Sequence, residues 1–251
     1  MRTVGWKNKK TPRVKPATVV IPILSADPES AFPPIDEVLE HPPGLLAAGG
    51  DLSPQRLLNA YRQGIFPWYS EGQPILWWSP VPRCVIYPDQ VHASKRLIRR
   101  YNTGHFRLST DTAFVQVIEA CAAPRTDGDG TWITSEMQEA YIRLHELGIA
   151  HSVEVRLGDE LVGGIYGLGL GRVFFGESMF SSATDASKIA LVALCRQLQQ
   201  WKFSLVDCQI PNPHLVSMGA VEISRAEFQQ HLQAASDRDH WQDNFQTAAR
   251  W

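Results

Sequence analysis

Apolar and polar positions change their period several times along the chain, and each change predicts an element. Ser53 and Pro54 followed by Leu57, Leu58 and Tyr61 read as a capped helix stopped by Gly64. A short helix is expected around Ser94 to Tyr101, and a second over Thr110 to Ala123 with Phe114, Val117, Ile118 and Cys121 on one side. A third spans Ser135 to Leu147, capped by Ser135 and closed by Gly148. Near residue 152 the period drops to two. Val153, Val155 and Leu157 alternate with Glu154 and Arg156, Leu161 to Tyr166 returns after a turn at Gly158 and Asp159, and Val173 to Phe180 follows a turn over Gly169 to Arg172. This predicts an antiparallel meander with one buried face. Helical spacing resumes over Asp185 to Trp201, followed by a strand from Ser204 to Ile210 that Pro211 ends. Asn212 is placed to cap a short helix closed by Gly219, and Ser224 to Glu227 (SRAE) is a capping box that opens a final helix.

The segment Gly44 to Pro80 does not follow either period. Phe66, Trp68, Tyr69, Trp77 and Trp78 crowd among Pro67, Pro74, Pro80, Gly64 and Gly72, which argues against a long helix or a central strand. Rings displayed from turns can stack on a flat partner such as a nucleobase, worth about 1–3 kcal/mol per base. A small aromatic core pinned by prolines is the competing reading.

Together the pattern predicts an α+β protein in three parts. Residues 1–31 form a basic N-terminal arm carrying Lys7, Lys9, Lys10, Arg13 and Lys15, and residues 32–82 a small N-terminal α/β domain with the aromatic loop. Residues 83–251, a meander followed by strand, helix and strand, have the layout of an acetyltransferase-like (GNAT-type) domain, a mixed and mostly antiparallel sheet flanked by helices.

Composition narrows the partners. With 24 Lys and Arg against 26 Asp and Glu the net charge is −2, so contact with a polyanion must rest on a local patch. Lys95, Arg96, Arg99 and Arg100 gather on adjoining faces of one short helix with no acid among them, suited to phosphate contact or simply to solvation. The four cysteines form no CxxC pair and the eight histidines no metal spacing, so neither a disulfide framework nor a metal site is expected. No charged-then-apolar leader and no membrane-length apolar run is legible, which predicts a cytoplasmic protein without a membrane partner; a monomer is the default expectation. The Asp127 to Gly130 run has too few spaced ligands for calcium and reads as a turn delivering Trp132.

An acyl-CoA enzyme of this layout needs a glycine-rich pyrophosphate loop before its central helix. Here that stretch is SSATDAS, where Asp185 would repel pyrophosphate. Asp207 and Gln209, two apart on the strand LVDCQI, should face the same side, and a carboxylate in so apolar a strand either does chemistry or anchors a turn. Glu177 within FFGESMF suggests recognition of a cation, or a buried salt bridge.

Several blocks together resemble one family, the bacterial leucyl/phenylalanyl-tRNA–protein transferases: GLLAAGGDLSPQRLLNAYRQGIFPWYS, PILWWSPVPR, GTWIT with EAYIRLHELGIAHSVEV, LVGGIYG, FFGESMF with ASKIAL, and LVDCQIPN. The resemblance implies transfer of leucine or phenylalanine from charged tRNA to proteins that begin with Arg or Lys, marking them for degradation, with no cofactor. It implies that Trp68 and Trp132 receive the terminal adenosine, and that Ile165, Phe174, Leu191, Leu194 and Val206 form a pocket selecting a large side chain unbranched at Cβ. By the same resemblance, the helix with Lys95, Arg96, Arg99 and Arg100 grips the tRNA backbone. On this footing Asp207 is expected to polarise Gln209, whose carbonyl oxygen orients the attacking amine, while Glu177 meets the acceptor's positive charge. An acyl-CoA-dependent N-acetyltransferase and a non-enzymatic tRNA-binding protein remain the alternatives.

Overall fold

The computed structural model describes residues 20–124, 132–234, 241–242, 244–245 and 250–251. The basic cluster Lys7 to Lys15 and the Asp127 to Gly130 turn lie outside the described residues. Among the described residues two sheets organise the chain.

The first sheet has the order β1-β2-β4-β3, formed by Ile23–Leu24 (β1), Leu45–Gly49 (β2), Phe66–Pro67 (β3) and Leu76–Trp78 (β4). β1 runs parallel to β2, and the other pairs are antiparallel. Two expectations are corrected here. Residues 20–31 are not part of an arm: Ile23 pairs with Ala48, and the carbonyls of Ser25 and Asp27 accept hydrogen bonds from the buried Arg56. Trp77 and Trp78 sit on a central strand, with Trp77 enclosed and donating its indole N–H to the Gly49 carbonyl at 2.9 Å. Pro74 and Pro80 lie outside these short strands, and Pro67 lies on β3 at the edge of the sheet, where proline is tolerated. Trp77, Phe66 and Tyr69 are core, whereas Trp68 is 39% exposed. Helix α1 (Pro54–Arg62) covers this sheet, with the Ser53 hydroxyl accepting from the Arg56 N–H and Leu57 and Tyr61 buried. Gly44, at φ +86, has no room for a Cβ because Pro80 Cα would lie 2.7 Å from it, so glycine brings β2 up to the end of β4.

The second sheet has the order β11-β5-β10-β9-β8-β7-β6. Its strands are Arg83–Ile86 (β5), Phe106–Thr110 (β6), Ala150–Leu157 (β7), Glu160–Leu170 (β8), Val173–Ser181 (β9), Leu205–Gln209 (β10) and Val221–Ile223 (β11). All neighbours are antiparallel except β9 and β10. The meander is present, but it buries both faces. Val153, Val155, Ile165 and Phe174 face helix α5 (Ala186–Gln200), while Tyr166, Leu168 and Phe175 face α3 (Phe114–Ala122) and α4 (Ser135–Glu146). Glu154, which its alternation places towards solvent, is enclosed and takes hydrogen bonds from Ser109, Thr112 and Ser152. Gly163 lets α5 settle on the sheet, since a Cβ there would lie 2.5 Å from that of Ala186.

The helix expected from Thr110 starts only at Phe114, because β6 takes Phe106 to Thr110 and pairs with β7. Thr134 rather than Ser135 caps α4, its hydroxyl accepting from the Met137 N–H. Three further helices follow expectation: α2 (Lys95–Tyr101) capped by Ser94, α6 (Pro213–Ser217) capped by Asn212, and α7 (Arg225–Ala234) opened by Ser224. The layout is mixed α+β, and one buried cluster runs from the first sheet across a face of the second. No helix among the described residues is long and apolar enough to cross a membrane.

Candidate active site

β9 and β10 run side by side only as far as the pair Phe175 and Asp207, and there both strands leave register. On β9 the ladder to β8 jumps from Gly176 to Ser178, leaving Glu177 as the extra residue of a bulge. On β10 the ladder to β5 jumps from Asp207 to Gln209, leaving Cys208 extra and Gln209 at φ +56. Bulges bend a strand and re-aim its side chains. Two bulges facing each other across a parallel pair split the sheet, and Gln209 bridges the start of the split by donating Nε2–H to the Gly176 carbonyl at 3.0 Å.

Two adjoining cavities occupy the split. One of about 180 Å³ is apolar at its base, with Ile165, Met179, Leu191, Val206 and Leu215. The other, of about 360 Å³, has Phe66, Pro67, Trp68 and Pro211 on its outer side. Trp132, Glu177, Cys208, Gln209, Ile210 and Asn212 line both. The structure therefore brings together Trp68, Trp132, Ile165, Glu177, Leu191, Val206 and Gln209. Phe174 and Leu194 are excluded from the lining: both are enclosed in the core behind the pocket, and the Phe174 ring lies 5.8 Å from that of Trp241. Sequence reasoning missed Met179 and Leu215. Period two carries the first signal, since Met179 follows Glu177 by two and pairs with Ile165 across the ladder.

Asp207 is held differently from expectation. Its carboxylate is fully enclosed and takes a two-pronged bond from Arg83, Nε to Oδ1 at 2.8 Å and Nη2 to Oδ2 at 2.7 Å. Oδ1 also accepts the backbone N–H of Gln209 at 3.0 Å. Asp207 thus fixes the left-handed backbone of Gln209 and does not touch its side-chain amide, because the bulge turns the two side chains apart. With Nε2 tied to Gly176, the Gln209 Oε1 is the corner left to accept another donor. Arg83 is itself packed between the rings of Phe66 and Phe228, 5.0 and 4.7 Å away.

Glu177 sits on a pair of phenols. Tyr61 donates to Oε1 at 2.7 Å, Tyr141 to Oε2 at 2.9 Å, and the two hydroxyls contact each other. Burial pushes the Glu177 carboxyl up to about 7, against the opposing pull of those two hydrogen bonds. Burial also raises both phenols well above their ordinary value, so they stay protonated donors. The arrangement is a carboxylate that is half ionised near neutrality and faces both cavities. That is a suitable counter-charge for an arriving cation.

The basic helix α2 keeps Lys95, Arg96 and Arg99 on the surface. Arg100 is tied down, donating to the Thr184 carbonyl at 2.9 Å and pairing with Asp185 at 3.7 Å. That contact joins α2 to the N-terminus of α5, six residues before the cavity residue Leu191, or about 9 Å along the helix axis. The α5 N-terminus is filled by its own chain: Asp185 also meets Lys188 at 3.4 Å, and the Ser181 hydroxyl accepts the Ser187 N–H at 3.2 Å. A pyrophosphate would have to displace these groups. Among the described residues no group of three His, Cys, Asp or Glu is placed to hold a metal ion.

Comparison with known proteins identifies the family. The family model for leucyl/phenylalanyl-tRNA protein transferase matches residues 85–233, and that for its N-terminal domain matches residues 50–81. The leucyl/phenylalanyl-tRNA–protein transferase of Stutzerimonas stutzeri is 58% identical over 208 residues, covering 83% of this chain and 92% of that protein. Those of Pseudomonas entomophila and Alkalilimnicola ehrlichii are 60% and 59% identical, covering 80% and 83% of this chain and 89% and 81% of theirs. Among solved structures, L-PGS from Bacillus licheniformis matches at a TM-score of 0.37 and 8% identity over 66% of this chain and 53% of that one, too distant to assign the fold. With both family models matched in chain order and relatives near 60% identity across most of the chain, it belongs to the leucyl/phenylalanyl-tRNA–protein transferase family.

Proposed function

We propose that this chain transfers leucine or phenylalanine from charged tRNA to the N-terminal Arg or Lys of acceptor proteins, and that the split between β9 and β10 is where transfer occurs. The observation that carries the reading is the shared wall: one apolar cavity and one tryptophan-flanked cavity meet at Glu177 and Gln209. The apolar base formed by Ile165, Met179, Leu191, Val206 and Leu215 takes the aminoacyl side chain, and Trp68 with Trp132 takes the terminal adenosine by stacking. Phe174 and Leu194 support that base from behind.

The donor ester is already activated, so the chain's task is position. The acceptor amine nitrogen attacks the ester carbonyl carbon, the bond to the ribose oxygen breaks, and that oxygen leaves with the amine's proton. Gln209 Oε1 accepts an N–H of the amine and so aims its lone pair. Asp207 and Arg83 are positioning residues that hold the Gln209 backbone. Glu177 carries the negative charge opposite the acceptor's cation. Lys95, Arg96 and Arg99 contact phosphate without reading sequence, while Arg100 orients α2 on α5. Residues 83–251 are read as an acetyltransferase-type domain in which the parallel pair β9 and β10 opens beyond α5, and residues 32–82 as the smaller domain that supplies Trp68. Both cavities are completed by one chain, so a monomer suffices, and the cytoplasm is where charged tRNA is made.

The test is incubation with leucine-charged tRNA and a peptide that begins with arginine, beside the same peptide with acetyl-CoA. Leucine on the peptide N-terminus is the expected product. Acetylated peptide, or bound tRNA without product, refutes the assignment.

A further inference from the structure

The β10 bulge has a second consequence, independent of the reaction. Val206 lies opposite Ile86 and Asp207 opposite Val85, and Gln209 is then opposite Cys84, so Cys208 and Gln209 together face Cys84 on the neighbouring strand. Cys84 and Cys208 project towards the same side of the sheet, the one packed by α5. The Cys208 thiol donates to the Val206 carbonyl at 3.8 Å, which leaves its sulfur beside Cys84 within one apolar cluster. Cys208 is partly exposed and lines both cavities, whereas Cys84 is enclosed behind it.

We propose that Cys208 and Cys84 form an oxidant-modifiable dithiol, closed to a disulfide by hydroperoxides that enter through the substrate cavities. The Cys208 thiolate attacks the peroxide oxygen, giving the sulfenic acid and an alcohol or water. The Cys84 thiolate then attacks the Cys208 sulfur, the S–S bond forms, and hydroxide leaves; two thiols lose two electrons and the peroxide gains them. The neighbouring Cys208 thiol lowers the Cys84 thiol from its ordinary value, which favours it as the resolving group. The Cys84 contact and burial hold Cys208 above its ordinary range, so the first step quickens as pH rises. Cys195 stays a thiol because burial pushes it up to about 12.

Closing the bond draws the two sulfurs together to about 2 Å and breaks the Cys208 contact with the Val206 carbonyl. Cys208 lies between Asp207 and Gln209, so the bulge that aims Gln209 moves with it. A misplacement of about 1 Å in a positioning group costs up to about a hundredfold in rate. That effect rests on the site reading, whereas the cross-link does not.

The experiment treats the full chain with hydrogen peroxide at pH 7 and pH 8.5, then reads intact mass, a non-reducing peptide map and transfer activity before and after dithiothreitol. The expected result is loss of two hydrogens, a Cys84–Cys208 linked peptide forming faster at pH 8.5, and a fall in transfer of tenfold or more that the reductant restores. Cys84→Ser should show no link. A map without that link, or with Cys208 joined to Cys195, overturns the dithiol. If Cys84→Ser folds poorly, the wild-type map alone decides. A linked protein that keeps full activity overturns the coupling to Gln209, and a reduced protein that never transfers leucine overturns the site reading instead.

Discussion

Replacing Glu177 by Gln separates the energetic cost of this site from its use. The carboxyl lies at about 7 in the folded chain against an ordinary value of 4.5. A raised acid means that the folded state holds its proton more tightly than the unfolded state, so stability falls as pH rises from about 4.5 to about 7 and stays low above. The difference corresponds to about 3 kcal/mol, present as a penalty at pH 8 and absent near pH 4. Glutamine keeps an acceptor for one phenol and carries no charge. Glu177→Gln should therefore match the wild type near pH 4.5 and melt about 5–10 °C higher at pH 8. Its transfer activity should fall, mainly through a higher KM for the acceptor peptide. In the wild type, the ionised fraction of Glu177 rises from about one-tenth at pH 6 to about nine-tenths at pH 8, so acceptor affinity should improve up to about tenfold over that range. The variant should lose that part of the pH dependence. The assays are thermal unfolding across pH 4.5–8 and transfer kinetics with an arginine peptide at saturating charged tRNA. Equal melting curves for the two proteins at pH 8, or an unchanged KM, would refute the reasoning.

Asp207→Asn should lower stability by about 3–5 kcal/mol, read as a shift in the urea midpoint, because it leaves Arg83 buried without its charge partner; an unchanged midpoint would mean that the pair is not enclosed. Arg83 and Asp207 replaced together by apolar residues of similar size should regain much of that stability but not the transfer rate, since Gln209 loses its backbone anchor. Trp68→Ala should weaken charged-tRNA binding by about 1–3 kcal/mol with the salt dependence intact; a flattened salt slope would place Trp68 outside the stacking role. Replacing Lys95, Arg96 and Arg99 together by Ala should reduce the salt slope of tRNA binding by nearly one per lost phosphate contact. No change in that slope would leave α2 a solvated face.

Pattern carried far where an element is self-contained. Ser53, Ser94 and Asn212 cap helices from one side chain and a few following residues, and α5 follows from a broad apolar stripe, so both were legible locally. The quoted motif blocks also marked Trp68, Trp132, Ile165, Glu177, Leu191, Val206 and Gln209, which the fold gathers around one split. What the pattern misplaced depends on partners distant in sequence. β1, β6 and β11 are short strands recognisable only by the ladders they join, and Trp77 on β4 is core only because β2 and β3 flank it. Glu154 reads as a solvent residue until three hydroxyls close over it. Period two placed Asp207 and Gln209 on one face, yet a single unpaired residue on β10 turned one inward to Arg83 and the other towards the cavities. The sequence by itself determined which residues were available for chemistry and most of the helices, because caps and periodic stripes are local. The tertiary structure alone decided where the sheet parts, because a bulge exists only as a mismatch between two strands, and it is that mismatch which aims Glu177 and Gln209 at the same space.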